Sequence, residues 1–284
     1  YVNGWRGLNA THHVELILAL SEGESRVLST HAETFKADGV RLSVGPQESV
    51  AVMTDKLRML EVAASKGVDN GPFCPIDSSQ DATSALQELG YPERKIIIKP
   101  RKNYGTRGIL IVDGDKKEWS LLSPKRFVGT GNWQSVSEAV TEANFDLKNM
   151  LAVPFVDGPV YDVDCLATEG HMHDVVGRLR QWQNPLSASS TGNKIDMNPK
   201  IIEHAEALCE AFAVDGCGDF DMVIRNDGRP IAFDASSRLS GSVGGAILAG
   251  INIPAQLVRQ RMKLPLLKYQ IEDGCVVRPF STFL

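Results

Sequence analysis

Apolar and polar positions alternate along this chain with two different periods, and the switches between them divide it into elements. Residues 14–20 form an apolar run, and 26–29 read as a short strand before a turn at Asp38-Gly39. From 55 to 66, Leu57, Leu60, Ala63 and Ala64 recur at helical spacing, with Thr54 as the expected cap and Gly67 as the stop. Residues 81–89 repeat that pattern and end at Gly90, and a long helix is expected over 135–150. Further helices are expected over 199–212 and 254–262.

Strands are expected over 96–98, 108–112, 152–156, 161–167, 173–181, 220–224 and 230–234. In the fourth of these, Tyr161, Val163 and Cys165 alternate with Asp162 and Asp164, the period of a sheet with unlike faces. Asn226-Asp227-Gly228 marks a tight hairpin. The mixture argues for an α/β or α+β protein of several lobes.

Composition narrows the chemistry. The 284 residues are 43% hydrophobic and 23% charged, with net charge -5, so no global field draws the chain to nucleic acid or an anionic membrane. No apolar run is long enough to span a bilayer. The chain opens on Tyr1 rather than Met, which leaves room for residues upstream. Its five cysteines form no C-x-x-C pair, which fits a reduced, cytoplasmic protein with small buried thiols. Cys217 is the best-placed candidate for a catalytic thiol, yet acidic neighbours would raise its pKa. His12-His13 and His171-x-His173 are close pairs without an acid or thiol at metal-binding spacing.

Two clusters carry the candidate chemistry. IIIKPRKNYGTRGILIV, residues 96–112, ends an apolar run on Lys99 and continues into a loop with Arg101, Lys102, Gly105, Thr106, Arg107 and Gly108. Glycines let backbone N–H groups approach an anion, and the cations balance its charge, as a triphosphate requires. A solvated hairpin with a basic tip, or a site for another anionic substrate, fits the same residues. The loop is neither G-x-x-x-x-G-K-[ST] nor G-x-G-x-x-G.

GDFDMVIRNDGRPIAFDASSRLSGS, residues 218–242, sets Asp221 and Asp234 on the two arms of the hairpin. Adjacent carboxylates repel unless a cation joins them, and Mg2+ with phosphate oxygens suits that role, with Ser236 as a further ligand. Arg238 and the loop Ser240-Gly241-Ser242 follow as candidates for a second substrate. Arg178 and Arg180, two apart on one strand, share a face that suits an anionic acceptor or a solvated surface.

In their order, DKLRML, IIIKPRKNYGTRGI, VPFVDGPVYDVDCL, GDFDMVI and FDASSRLSGS resemble the ATP-grasp superfamily, over roughly residues 50–265. They are similar in particular to carbamoyl-phosphate-synthase-like members, including those associated with tellurium-resistance gene clusters. The opening YVNGWRGLN…VLSTHAE resembles the start of those proteins. Asp234-Ala235-Ser236 stands where the family usually has Glu-x-Asn, and Val160 where many members have a ribose-binding Glu.

The resemblance implies an ATP-grasp fold of two α+β subdomains gripping ATP, spanning 51–284 with a lid over about 76–152. A reduced or incomplete Rossmann-like domain would precede it over 1–50, because the stretch from Gly39 to Lys56 looks too short for a further β-α unit. It also implies an ATP- and Mg2+-dependent ligase joining a small carboxylic acid to an amine or similar nucleophile, in a cytoplasmic protein for which a homodimer is a common assembly. No nucleic acid or membrane partner is expected. Lys56 and Lys99 would neutralise phosphates, Asp221, Asp234 and Ser236 would hold the metal, and Arg238 would steady the transferring group. Adenine would lie near Val153, Phe155 and Val156. The departures at Val160, Asp234 and Ser236 also admit a nucleotide-binding protein with reduced or lost catalysis.

Overall fold

The computed structural model describes residues 2–102, 107–181 and 192–278. Among them are two six-stranded sheets and a two-stranded one.

The amino-terminal part opens with the helix Val2–His12, which the hydrophobic pattern does not announce. Leu16–Ile17 then pairs in parallel with Arg41–Leu42, and two helices, Glu22–Thr30 and Ala32–Ala37, make the crossover. The strand expected over 26–29 is therefore helical. Its cause is local: Ser21 accepts from the Glu24 N–H while the Glu24 carboxylate accepts from the Ser21 N–H, a capping box that starts a helix whatever the β-propensity of Val27. The stretch judged too short for a β-α unit holds one, Arg41–Leu42 followed by Gln47–Met53. Both elements are very short, which is why their periodicity does not show.

The next helix, Lys56–Ser65, is capped by Asp55, whose side chain accepts from the Leu57 and Arg58 N–H groups. Thr54, expected to cap it, instead ends the preceding helix, its hydroxyl bonded to the Val50 carbonyl.

One six-stranded sheet contains, in spatial order, Cys74–Ile76, Met150–Pro154, Ile96–Pro100, Leu110–Val112, Val128–Gly131 and Ser120–Ser123. Helices Ser79–Glu88 and Trp133–Glu142 pack on it around Ile76, Leu86, Ile96, Ile98, Leu110 and Val136. The second helix stops well before residue 150. Asn144 and Asn149 adopt φ of 48° and 57°, a left-handed conformation that asparagine tolerates and a helix does not continue through.

The other sheet runs Pro230–Ser236, Gly216–Ile224, Val160–Thr168, His171–Arg180, Asn193–Ile195 and Val276–Val277. One face buries Tyr161, Val163, Cys165, Phe220 and Met222 against Lys56–Ser65 and Pro199–Ala211. Towards one end of the opposite face, Leu166, Val176, Ile195 and Cys217 pack on Ile253–Arg261 and its surroundings. Arg261 ties the lobes together, donating to Asp215 and to the Ser43 carbonyl of the amino-terminal part. No helix among the described residues is long and apolar enough to cross a membrane.

Candidate active site

Lys99 lies near the end of the Ile96–Pro100 strand and is only 8% exposed. Its Nζ donates to the Phe233 carbonyl at 2.7 Å and lies 5.7 Å from the centre of the Phe233 ring. That carbonyl is free because of a β-bulge: Asp221 pairs with Asp234 and Met222 with Ala232, so Phe233 is the extra residue between them. Burial, with the nearby Lys56 charge, lowers the Lys99 amine to about 8.

Lys56 starts the helix capped by Asp55, and its Nζ lies 2.9 Å from Asp234 Oδ1. Desolvation opposes its charge, but Asp234 more than compensates and the amine is raised overall. Arg101 grips Asp55 through two bonds, 3.1 and 2.9 Å long, and the Lys56 N–H donates to the Arg101 carbonyl. The helix start is thereby fixed to the strand that carries Lys99.

Strand register assembles the acidic part. Asp221 faces Asp162 on one side and Asp234 on the other, while Asp219 faces Asp164 and Ser236. These residues share the sheet face opposite the apolar core, as do Arg178 and Arg180. Arg178 is fully buried; Nη2 lies 2.7 Å from Asp164, and the guanidinium donates to the Ser240 and Ser242 hydroxyls. Arg180 bonds to Asp162 and reaches Asp221 at 2.9 Å. Desolvation, reinforced by the charges of Asp162 and Asp234 against the pull of Arg180, pushes Asp221 up to about 7. Burial likewise raises Asp219 and Asp164, whereas at Asp162 desolvation is overcome by the charge and hydrogen bond of Arg180 together with Arg178, and the carboxyl is lowered.

Beyond Asp162 and Asp221 the same face turns apolar, with Val160, Val223 and Ile231 clustered with Val156 and Phe233. Val153 packs at the edge of the main core, and Phe155 lies beneath Lys95 Nζ at 5.2 Å. An apolar shelf thus leads to two amines and then to carboxylates, a sequence that suits a flat base followed by phosphates and a cation. No three His, Cys, Asp or Glu side chains among the described residues form a closed metal centre. Asp221 and Asp234 could supply the one or two carboxylates that Mg2+ takes when phosphates complete its shell. Ser236 Oγ is buried without a partner, as expected of a hydroxyl placed to meet a ligand or its water. The donor set fits the ion.

The expected residues converge unevenly. Lys56, Lys99, Asp221, Asp234 and Ser236 share one site. Gly105 and Thr106 lie outside the described residues. Arg107 is exposed at the edge of that segment, and Gly108, with φ of 64° against Pro100 and Phe145, turns the chain back. Arg101 holds Asp55 and is a positioning residue. Arg178 and Arg180 do not form a solvated surface; carboxylates hold both. Arg238 donates to the Leu239 carbonyl and lies 3.8 Å from Asp219, and Gly241 has open space beside it. Cys217 is buried and desolvation pushes its thiol up, so it is no nucleophile. His173 bonds to the Thr168 hydroxyl. Sequence reasoning missed the roles of Asp164, Asp219 and Phe233; the Asp162/Asp164 alternation was the one available signal.

Residues 146–282 match the family described as ATP-grasp in the biosynthetic pathway with Ter operon. None of the curated proteins matches the chain. Among solved structures, the biotin carboxylase of Campylobacter jejuni, crystallised as a β,γ-ATP complex, is 17% identical with a TM-score of 0.69, covering 95% of this chain and 60% of its own. The L-amino acid ligase of Bacillus licheniformis is 15% identical with a TM-score of 0.63, covering 91% and 58%. The biotin carboxylase domain dimer of Hydrogenobacter thermophilus 2-oxoglutarate carboxylase, in complex with MgADP, ADP and bicarbonate, is 16% identical with a TM-score of 0.70, covering 96% and 58%. The chain therefore spans about 60% of the length of the first of these structures.

Proposed function

We propose that this chain, whose residues 146–282 match an ATP-grasp family and whose fold is shared with biotin carboxylase and the L-amino acid ligase, is an ATP-grasp protein and an ATP- and Mg2+-dependent ligase that activates a small carboxylic acid for attack by an amine or similar nucleophile. The supporting observation is the meeting of Lys56 and Lys99, from separate elements, on the hairpin that pairs Asp221 with Asp234.

In this reading residues 51–284 grip the nucleotide, residues 76–152 act as the lid and residues 1–50 complete the substrate side. The base lies on the shelf of Val156, Val160 and Phe233, near Val153 and Phe155. Lys56 and Lys99 bind phosphate oxygens, exchanging Asp234 and the Phe233 carbonyl for the ligand. Asp221 and Asp234, with Ser236, would hold magnesium, which when bound would supply positive charge to the phosphates. Arg180, already on Asp221, keeps that carboxylate oriented.

Arg238 orients the substrate carboxylate, whose oxygen attacks the γ-phosphorus as ADP leaves. The amine then adds to the acyl carbon, phosphate departs with the bonding pair, and the nitrogen loses a proton. Arg178 braces Ser240 and Ser242, so the substrate loop around Gly241 is held from beneath.

A second reading, nucleotide binding with reduced or lost catalysis, draws on the pairing of Asp234 with Lys56 and of Asp221 with Arg180. Both readings expect saturable MgADP binding. They part on turnover: the ligase reading expects ADP release that depends on a carboxylic acid and a hydroxamate trapped by hydroxylamine. MgATP binding without either product across a broad acid panel would leave the second reading standing. Absence of nucleotide binding would overturn both.

A further inference from the structure

Asp162 sits in the middle of the charged face, paired with Asp221 on one neighbouring strand and with Arg178 on the other. Both of its oxygens are engaged. Oδ1 accepts from Arg180 Nε at 2.9 Å and from Arg180 Nη2. Oδ2 accepts from Asn193 Nδ2 at 2.9 Å, with Arg178 Nη1 3.9 Å away. Asn193 is itself buried, and Asp164, Ser240 and Ser242 hold Arg178 in place. Clamped in this way, the Asp162 side chain is 8% exposed, whereas that of Asp221 beside it is 29% exposed. Of the two carboxylates on Arg180, Asp221 is the one that opens to the cleft.

Arg180 is shared unequally between them. Its Nη2 donates to Asp221 Oδ1 at 2.9 Å, but its Nε is spent on Asp162. Among the described residues no lysine or arginine donates to Asp221 Oδ2. A guanidinium beside a single carboxylate frequently takes both oxygens through its fork. Here the second carboxylate draws one arm of the fork aside. Charge points the same way: one cation between two carboxylates leaves net negative charge for an incoming ion, and one cation on Asp221 alone would leave none.

We propose that Asp162 is a positioning residue for the metal carboxylate. By holding Arg180, and braced by Asn193, it keeps one oxygen and the charge of Asp221 available to a divalent cation. The inference rests on the reading of Asp221 and Asp234 as the carboxylates for that cation, and adds to it the residue that keeps one of them from being neutralised. Asp162 acts through Arg180 and need not touch the cation or the nucleotide.

The test is calorimetric titration with ADP, once in EDTA and once with saturating Mn2+, so that the ratio of the two affinities gives the contribution of the metal. The wild type should bind more tightly with Mn2+. Asp162→Asn should cut that gain by about tenfold without weakening ADP in EDTA. With Arg180→Met already in place, no arginine is left to restrain, and the same change should cost less than about twofold. Asn193→Leu keeps the Asp162 charge, removes its brace and should cut the gain severalfold; it carries the test alone if Asp162→Asn does not fold. An undiminished gain in either variant overturns the proposal. A tenfold loss that persists beside Arg180→Met also overturns it, because Asp162 would then act on the metal without the arginine. A wild type that gains nothing from Mn2+ is a separate outcome, which removes the metal reading itself and the proposal with it.

Discussion

The two faces of the Val160–Thr168 strand could hardly differ more. On one side Tyr161, Val163, Cys165 and Ala167 are sealed in apolar core; on the other Asp162 and Asp164 are just as buried, yet bound to Arg180 and Arg178. Burying apolar side chains stabilises a fold directly, whereas buried ion pairs recover their desolvation cost poorly. A molecule that spends the middle of a sheet face on paired charges keeps it for something other than stability. Where core and charge are equally hidden, the costly face is the one with a chemical task.

Four experiments probe that contrast. Asp164→Ala strands a fully buried Arg178, and Phe220→Ala empties the core on the opposite face; each should lower unfolding free energy by about 3–5 kcal/mol in urea titration. They should separate on compensation. Adding Arg178→Met to Asp164→Leu should restore most of the stability without restoring function, because an apolar pair replaces an ion pair cheaply. If that double variant keeps full ligand binding, the charged face has no chemical task.

Lys99→Ala should weaken ADP binding by about 100-fold, or roughly 2.7 kcal/mol, with the fold intact. Unchanged affinity in calorimetry would separate the lysine from the nucleotide.

The third experiment follows from the lowered Lys99 amine, at about 8 in the empty site. Phosphates favour its charged form. Above pH 8 ADP binding should therefore take up a proton and weaken as pH rises, and below pH 8 the uptake should vanish. Calorimetry in buffers of different ionisation enthalpy reads this directly. The smallest effect belongs to Ser236→Ala: stability within about 0.5 kcal/mol of wild type, because the hydroxyl has no partner to lose, with a severalfold drop in Mn2+ affinity.

Much of the charged face is legible in the sequence, because a sheet's period of two writes faces into the chain. The Asp162/Asp164 alternation and the Asn226-Asp227-Gly228 turn together place Asp221 against Asp234. What stays hidden is long-range or geometric. The partners of Arg178 and Arg180 depend on register between strands, which no single segment encodes. The Phe233 bulge is an insertion into a ladder and leaves no mark in composition. Within the helix Glu22–Thr30, residues 26–29 read as a strand because Val27 and Leu28 outweighed the four-residue capping box from Ser21 to Glu24.

Asp55 carries a consequence for how the cleft is tuned. Its carboxylate begins one helix and is gripped by Arg101, just past the strand that carries Lys99. The gap between the two amines therefore depends on a joint at which the Asp55 carboxylate and the Lys56 N–H both meet Arg101. Loosening that joint would detune both amines together, so drift at position 55 would be felt as a loss of nucleotide grip although the side chain itself need never meet the nucleotide.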